Sequence, residues 1–290
     1  FALPALPQTP EAYQASDYTR YARLLGGGEK MCLAVKSNGT VVAWGSNDSQ
    51  QCDIPANLDN VVAVAAGCRH SLALKKDGTV VAWGKIQFSN ENYGQNIVPD
   101  SLTDVADISA GRFFSAALTK DGKVVAWGRN ISGECNLPAG LNEAGNVVDI
   151  QCGDYHTLAL KADGTVVAWG SGMDRNVPAG LNHVVAIATG SSFGLALKDD
   201  GSLIHWKNGE KILIQQYVKA ISGAYAIKWD GSLVAVYGGM MKTLDQQVLG
   251  VNGTNHLLAL YEDGTVGAWG NNNYNQCNVP VGLNLFADDV

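Results

Sequence analysis

The feature that most constrains this chain is a hairpin-like segment that recurs seven times. The copies are MCLAVKSNGTVVAWG (31–45), HSLALKKDGTVVAWG (70–84), FSAALTKDGKVVAWG (114–128) and HTLALKADGTVVAWG (156–170), then FGLALKDDGSLIHWK (193–207), AYAIKWDGSLVAVYG (224–238) and HLLALYEDGTVGAWG (256–270). The turn glycines Gly39, Gly78, Gly122, Gly164, Gly201, Gly231 and Gly264 are 39, 44, 42, 37, 30 and 33 residues apart. Periods of this size belong to propellers, solenoids and arrays.

Each copy has two β-rich arms around Asp-Gly or Asn-Gly, the signal for a hairpin with a two-residue turn of positive φ. A further apolar strand precedes each hairpin, as in Val61–Ala66 and Val184–Thr189. A short extended piece follows, as in Cys52-Asp53-Ile54-Pro55, giving up to four strands per unit. One such unit cannot bury both its faces, so the units must pack around an axis. The expected fold is therefore all-β, a seven-bladed β-propeller over residues 22–290. Residues 1–21 form an N-terminal extension. Thr9-Pro10-Glu11 is a helix start, so a helix is expected over about 10–24, packed on a propeller face or on blades 5 and 6, or reaching a neighbouring subunit.

The pattern G-x-x-H-S-L-A-L-x-x-D-G-x-V-x-A-W-G, then N-x-x-G-Q-C-x-V-P, is clearest at Gly67–Gly84 and Gly270–Pro280. It resembles the regulator-of-chromosome-condensation repeat over about residues 22–284, most closely as it occurs in secreted bacterial propellers, including those that inhibit β-lactamases. The repeat is specific for fold and not for function. Blades 5 and 6 depart from it. No G-Q-x-x-V-P linker follows Trp206, and blade 6 ends in Tyr237-Gly238, so these blades should be shorter, with an altered rim.

Six cysteines follow the repeat. Cys52, Cys135 and Cys277 lie three residues before a linker proline, and Cys32, Cys68 and Cys152 lie near the start of a unit. A linker cysteine is always followed by a start cysteine in the next unit, which pairs Cys52 with Cys68, Cys135 with Cys152 and, around the ring, Cys277 with Cys32. Disulfides there would place the protein outside the reducing cytosol, extracellular or periplasmic. The alternative is six buried thiols, because Gly-Gln-Cys is a common variant of the repeat. The chain opens on Phe1 with no signal peptide, as a processed or trimmed form would. Asn38, Asn47, Asn130 and Asn252 head glycosylation sequons.

Chemistry is sparse. His70, His156 and His256 share one repeat position, as structural histidines do. The Asp-Gly acids form turns at separate tips, too far apart for paired-carboxylate work. No nucleophile elbow, phosphate loop, zinc spacing or cofactor motif occurs, so no catalytic residue, metal or cofactor is assigned. A net charge of −7 without a basic run argues against nucleic acid. No apolar run approaches the roughly 18 residues of a membrane span.

Loops between the repeat glycine and the histidine position gather on one face of a propeller. The resemblance implies that this face holds a partner. Its residues are Lys30, Arg69, Arg112, Phe113, Asp154, Tyr155, Ser192 and Asn255, with arginine and aromatic side chains as the anchors. The expected function is a secreted, non-enzymatic scaffold that binds a protein or assembles with itself. The alternatives are an inhibitor of a secreted or periplasmic enzyme such as a β-lactamase, and a carbohydrate-binding propeller.

Overall fold

Every repeat folds as one antiparallel sheet whose strands pair in chain order. The computed structural model describes residues 20–84, 92–143, 145–172, 175–207, 209–236, 241–242 and 248–287. Blade 1 is β1 (Leu25–Gly27), β2 (Met31–Val35) and β3 (Val41–Gly45); blade 2 is β4 (Val61–Ala66), β5 (Ser71–Lys75) and β6 (Val80–Trp83). Blade 3 is β7 (Val105–Ala110), β8 (Phe114–Thr119) and β9 (Val124–Gly128); blade 4 is β10 (Val147–Cys152), β11 (His156–Lys161) and β12 (Val166–Gly170). Blade 5 has four strands, β13 (Val184–Thr189), β14 (Gly194–Lys198), β15 (Leu203–Lys207) and β16 (Glu210–Gln215). Blade 6 also has four, β17 (Val218–Ser222), β18 (Tyr225–Lys228), β19 (Leu233–Ala235) and β20 (Met241–Lys242). Blade 7 is β21 (Val248–Asn252), β22 (His256–Tyr261) and β23 (Val266–Gly270).

The Leu-Ala-Leu alternation explains how the blades stack. Side chains alternate across a strand, so Leu72 and Leu74 of β5 face blade 3 while Ala73 faces blade 1. The blade tryptophan points the same way as the alanine: Trp83 packs into the blade 1 core and Trp127 into that of blade 2. A large residue thus meets a small one at each interface. Seven apolar clusters result, one between each pair of neighbouring blades, including blades 7 and 1.

The hairpins differ in detail from the expected two-residue turns. The Lys75 amide donates to the Thr79 carbonyl, which leaves a three-residue loop, Lys76 to Gly78. Only Gly78 is left-handed, with φ +88°, while the Asp77 carboxylate accepts from the Thr79 amide and hydroxyl. This is the turn-plus-bulge alternative for Asp-Gly. It also links blades: the Gly78 carbonyl accepts from the Val105 amide, and the same bond joins Gly39 to Val61, Gly122 to Val147, Gly164 to Val184 and Gly201 to Val218.

The expected fourth strand at Cys52–Pro55 is instead a looped turn. Its purpose is visible in its carbonyl. The Gln51 carbonyl accepts from Trp83 Nε1 at 2.9 Å and from the Ser71 hydroxyl at 2.8 Å, both in blade 2. Gln95 does the same for Trp127 and Ser115, and Glu134 accepts from Trp169. The Gln276 carbonyl closes the ring, accepting from Trp44 Nε1 at 3.0 Å and from the Cys32 thiol at 3.2 Å. Beyond it, the Leu285 amide donates to Gly264 and its carbonyl accepts from Ser37, pinning the seam at the other face.

The expected helix over 10–24 lies mostly outside the described residues. A helical turn is present at 20–22, and the chain then enters β1. Among the described residues no helix is long and apolar enough to cross a membrane.

Candidate functional site

The loops between inner and second strands meet on one face, here the top. They interlock by backbone bonds across blades: the Cys68 amide donates to Arg112, and the Arg112 amide donates to Asp154. Gly67 shows why each such loop begins with glycine. A Cβ there would sit 2.3 Å from the His70 ring, which folds back over the turn.

Two rings of side chains follow. The inner ring surrounds the mouth of the central channel. There the Arg112 guanidinium lies 3.6 Å from the Glu29 carboxylate and 3.9 Å from that of Asp154, joining blades 1, 3 and 4. Burial pushes the Asp154 carboxyl up, with Glu29 adding to the shift and Arg112 opposing it. The outer ring meets the linker loops of the preceding blades. Lys30 lies over the Tyr274 ring at 4.7 Å, and Phe113 stacks obliquely on Tyr93 with ring centres 6.1 Å apart. Arg129, paired with buried Glu134, lies 4.9 Å from the Tyr155 ring, and Arg112 approaches both Phe113 and Tyr155. Cation–ring contacts of this kind contribute about 0.5–1 kcal/mol each at exposed sites.

The structure therefore gathers Arg112, Phe113, Asp154 and Tyr155 into one cluster. Phe113 is buried within it, so its ring supports the surface instead of projecting from it. Lys30 and Arg69 are half-buried on the same rim. Ser192 and Asn255 are exposed on the other side of the mouth. Sequence reasoning passed over the linker aromatics. Tyr93 and Tyr274 each lie two residues before the linker glutamine, so the repeat alignment contained their signal.

It also passed over the channel interior. Below the top mouth is a polar cavity of about 150 Å³, lined by Asp107, Ser109, Asp149 and Gln151 among others. Arg23 reaches into it and bonds Asp107 at 2.8 Å. Burial pushes the Asp107 and Asp149 carboxyls up, Asp149 to about 7 with the Asp107 charge adding to it. Arg23, which bonds Asp107, opposes both shifts. An aspartate in the third position of an apolar inner strand was the available signal.

The six cysteines are free thiols in this structure. Cys52, Cys135 and Cys277 each donate to the carbonyl six residues back, at Ser46, Arg129 and Asn271. Cys32 occupies the position of Ser71 and Ser115, which explains its offset from Cys68 and Cys152. Burial raises Cys68 to about 12 and Cys152 to about 12; Cys135 adds to the second shift, as Cys277 adds to that of Cys32. Thiols raised this far are poor nucleophiles at neutral pH.

The repeated histidines join neighbouring blades. His70 Nε2 is 3.0 Å from the Ser115 hydroxyl, and His256 Nε2 is 3.0 Å from Cys32 Sγ. Burial lowers His70, His156 and His256 to about 4, so they are neutral at physiological pH. Among the described residues no cluster of three or more His, Cys, Asp or Glu could hold a metal. The carboxylates of Asp77, Asp163 and Asp263 stay at separate tips, held below their usual range by hydrogen bonds from the threonine two residues on. Of the sequon asparagines, Asn47 and Asn130 donate to Asp53 and Asn136 within their loops, and Asn252 accepts from the Gly27 amide. Asn38 stands exposed at the tip of the blade 1 hairpin.

Comparison with known proteins agrees with this architecture. Residues 61–95, 105–134 and 147–174 match the regulator of chromosome condensation (RCC1) repeat. The CRINKLY WD40 ectodomain of the Arabidopsis thaliana receptor kinase ACR4 is similar at 19% identity and a TM-score of 0.67, over 85% of this chain and 95% of that one. Prp20p of Saccharomyces cerevisiae is similar at 20% identity and a TM-score of 0.56, over 85% and 71%. Human WBSCR16 is similar at 20% identity and a TM-score of 0.56, over 86% and 77%. Likeness at this identity shows the fold. No curated protein sequence matches the chain.

Proposed function

We propose that this chain is a non-enzymatic propeller that binds a protein partner through the top face of blades 1, 3 and 4. The observation that carries this reading is the Arg112 cluster. An arginine flanked by two aromatic rings and two carboxylates from separate blades is held by its own fold in one geometry. Such a surface loses little freedom on binding, and arginine and tyrosine are the usual anchors of protein interfaces. Prp20p, which shares the fold, is described by its binding to Gsp1p and histones. That supports a protein partner as the class of ligand, and the acidic charge of this chain separates it from nucleic-acid binders.

A secreted location belongs to the same proposal. Its support is the sequence pattern, in which each linker cysteine is followed by a start cysteine in the next unit. Intact mass after alkylation, with and without reduction, tests it: label taken up only after reduction supports export, and six labelled thiols in the unreduced, unfolded protein remove it.

The binding test is capture from the native source by wild type, Lys30→Ala/Tyr155→Ala and an Ile212→Lys control on the far rim. A partner retained by wild type and control, and weakened more than tenfold by the double variant, supports the reading. Binding equal across all three proteins overturns the assignment of this face.

A further inference from the structure

The central channel is one continuous cavity. Its lining runs from Glu29, Arg112 and Asp154 at the top mouth to Asp107 and Asp149 below. Asp149 marks the lower end, because it and Arg23 also line the cavity at the bottom mouth. From Asp149 to Cys152 β10 rises about 10 Å, and Asp154 lies in the turn beyond. The whole space is only about 150 Å³. Sites for drug-sized molecules measure roughly 300–1,000 Å³, so a ligand of this bore must be slender.

Charge is unbalanced at both levels of the bore. Its lining carries the carboxyls of Glu29, Asp107, Asp149 and Asp154 against the guanidinium groups of Arg23 and Arg112. At the mouth Arg112 alone serves both Glu29 and Asp154, at 3.6 and 3.9 Å. Both distances are too long for hydrogen bonds, and Glu29 Oε2 is buried without a hydrogen-bond partner. Below, Arg23 bonds Asp107 at 2.8 Å, while Asp149 accepts from the neutral Gln151 amide at 3.3 Å. Burial raises the carboxyls of Asp149 and Asp154, and Asp107 adds to the first shift as Glu29 does to the second. Each level thus holds one carboxylate more than it holds cations. A buried charge is favourable only when it is paired. The fold already meets half of this need, because an arginine of its own reaches in at each level.

We propose that the channel is a binding site for a linear aliphatic polyamine. One ammonium group lies between Glu29 and Asp154, a second lies beside Asp149, and the methylene chain between them fills the bore. The wall between the two levels suits such a chain, since the sixth residues of the inner strands there include Ala66, Ala110 and Thr189. A lysine of a protein partner has only a four-carbon stem. Entering from the mouth, it would span about half of the bore and meet the upper carboxylates alone. The polyamine sits inside the channel and leaves the aromatic rim of the top face free, so the site stands or falls apart from the protein-binding reading.

Calorimetric titration of the purified chain at physiological ionic strength tests this, with spermidine, hexan-1-amine and N-acetyl-lysine methylamide as probes. Spermidine is expected to saturate one site per chain and to bind at least tenfold tighter than either single-ammonium probe. Asp149→Asn and Asp154→Asn are each expected to weaken spermidine at least fivefold. Asp163→Asn/Asp263→Asn, which removes two exposed carboxylates at hairpin tips, is expected to leave it unchanged. Thermal midpoints check that the channel variants are folded, and Asp149→Asn, which breaks no ion pair, decides the matter if Asp154→Asn is unstable. No saturable binding of spermidine would overturn the proposal. So would equal weakening by the tip variant, which would reduce the binding to attraction by the net charge of −7. N-acetyl-lysine methylamide binding as tightly as spermidine would overturn it too, and would give the mouth to a side chain of a protein.

Discussion

Blades 1, 2, 3 and 7 and blades 5 and 6 close their outer edges in different ways. The first group ends in a looped linker whose glutamine or glutamate carbonyl reaches the tryptophan of the next blade. Blades 5 and 6 lack that linker, and a fourth strand takes its place, β16 on Lys207–Leu203 and β20 on Leu233–Val234. The missing linker motif and the Tyr237-Gly238 ending, which suggested shorter blades, thus belong to the two with most strands. Both groups keep the bond from the hairpin carbonyl to the next inner strand, as at Gly39–Val61 and Gly201–Val218. The apolar interfaces, present between all seven neighbouring pairs, are therefore the common requirement of the ring. The linker loop is one of two ways to finish a blade, and it adds a clasp to the neighbour.

The clasp matters most where no peptide bond joins the blades. Trp44 spans the seam between blades 1 and 7, packing on Leu258 and Leu260 and donating to Gln276. Trp44→Ala is expected to lower stability by about 3–5 kcal/mol, the cost of removing a buried tryptophan. Trp44→Phe keeps most of the packing and drops the donor, and is expected to cost about 1–2 kcal/mol. Urea denaturation measures both. A loss below 1 kcal/mol for Trp44→Ala would show that the seam is held by Leu285 and the apolar cluster without the clasp.

Blades 3 and 4 also differ from blades 5 and 6 inside the channel. The third residue of the inner strand is Asp107 in blade 3 and Asp149 in blade 4, but Ala186 in blade 5 and Ala220 in blade 6. The first pair makes stability depend on pH, and the second pair does not. A carboxyl whose folded pKa is raised binds more protons folded than unfolded, so stability falls as pH rises from the ordinary aspartate value of about 4 through the folded value. For Asp149 that upper limit is about 7. The buried histidines His70, His156 and His256, lowered to about 4, act in the opposite direction below about pH 6.5, so the carboxyl is read by difference: Asp149→Asn should gain thermal midpoint relative to wild type as pH rises from 5 to 8. Asp107→Asn should instead strand the Arg23 guanidinium and destabilise at every pH. An Asp149→Asn profile parallel to wild type would assign the pH dependence elsewhere.

Within one linker the effects are smaller. The Asn272 amide accepts from the Cys277 N–H and donates to Asn278, which fixes the loop that carries Gln276. Asn272→Ala is expected to cost about 1 kcal/mol. Hydrogen exchange should quicken in residues 271–280 and leave blades 5 and 6 unchanged. Faster exchange spread over the whole ring would mean that the loop and the seam open together.

The propeller was legible in the sequence because one physical pattern repeats. Leu-Ala-Leu before Asp-Gly and Trp after it specify strands, turn and stacking at once. The histidines were legible for the same reason. The top face was half legible: Lys30, Phe113 and Tyr155 carried the repeat-position signal, but their neighbours Tyr274, Tyr93 and Arg129 come from segments that follow other blades. Proximity of that kind depends on how far the linker folds back, which no local pattern states. The Arg23–Asp107–Asp149 group was hidden differently. Its members lie 84 and 42 residues apart in the chain and meet only because inner strands converge on an axis. The extra strands of blades 5 and 6 were missed because an absent motif was read as absent structure. Glu210-Lys211-Ile212-Leu213-Ile214 has the β-branched character of a strand in its own right.

The smallest expected effect lies on that strand. β16 is an edge with Ile212 45% and Leu213 53% exposed, and its inner neighbour contacts are with Ile204 and His205. Lys211 already guards one end, its ammonium donating to the Gly180 carbonyl at 2.8 Å. Unpaired edges invite pairing with another chain, and charges along them discourage it. Leu213→Lys removes a half-exposed side chain that fills no core, so stability by urea is expected to shift by no more than about 0.5 kcal/mol. The gain should appear in colloidal behaviour, as less light scattering when the protein is held near its thermal midpoint. The equivalent charge on a looped blade, Ile131→Lys, is expected to leave scattering unchanged, because that side chain lies on a turn with no open ladder beside it. Equal suppression by both variants would attribute the effect to net charge and remove the distinction between the two kinds of rim. A loss of more than 1 kcal/mol for Leu213→Lys would show that the fourth strand is packed as firmly as the clasped linkers.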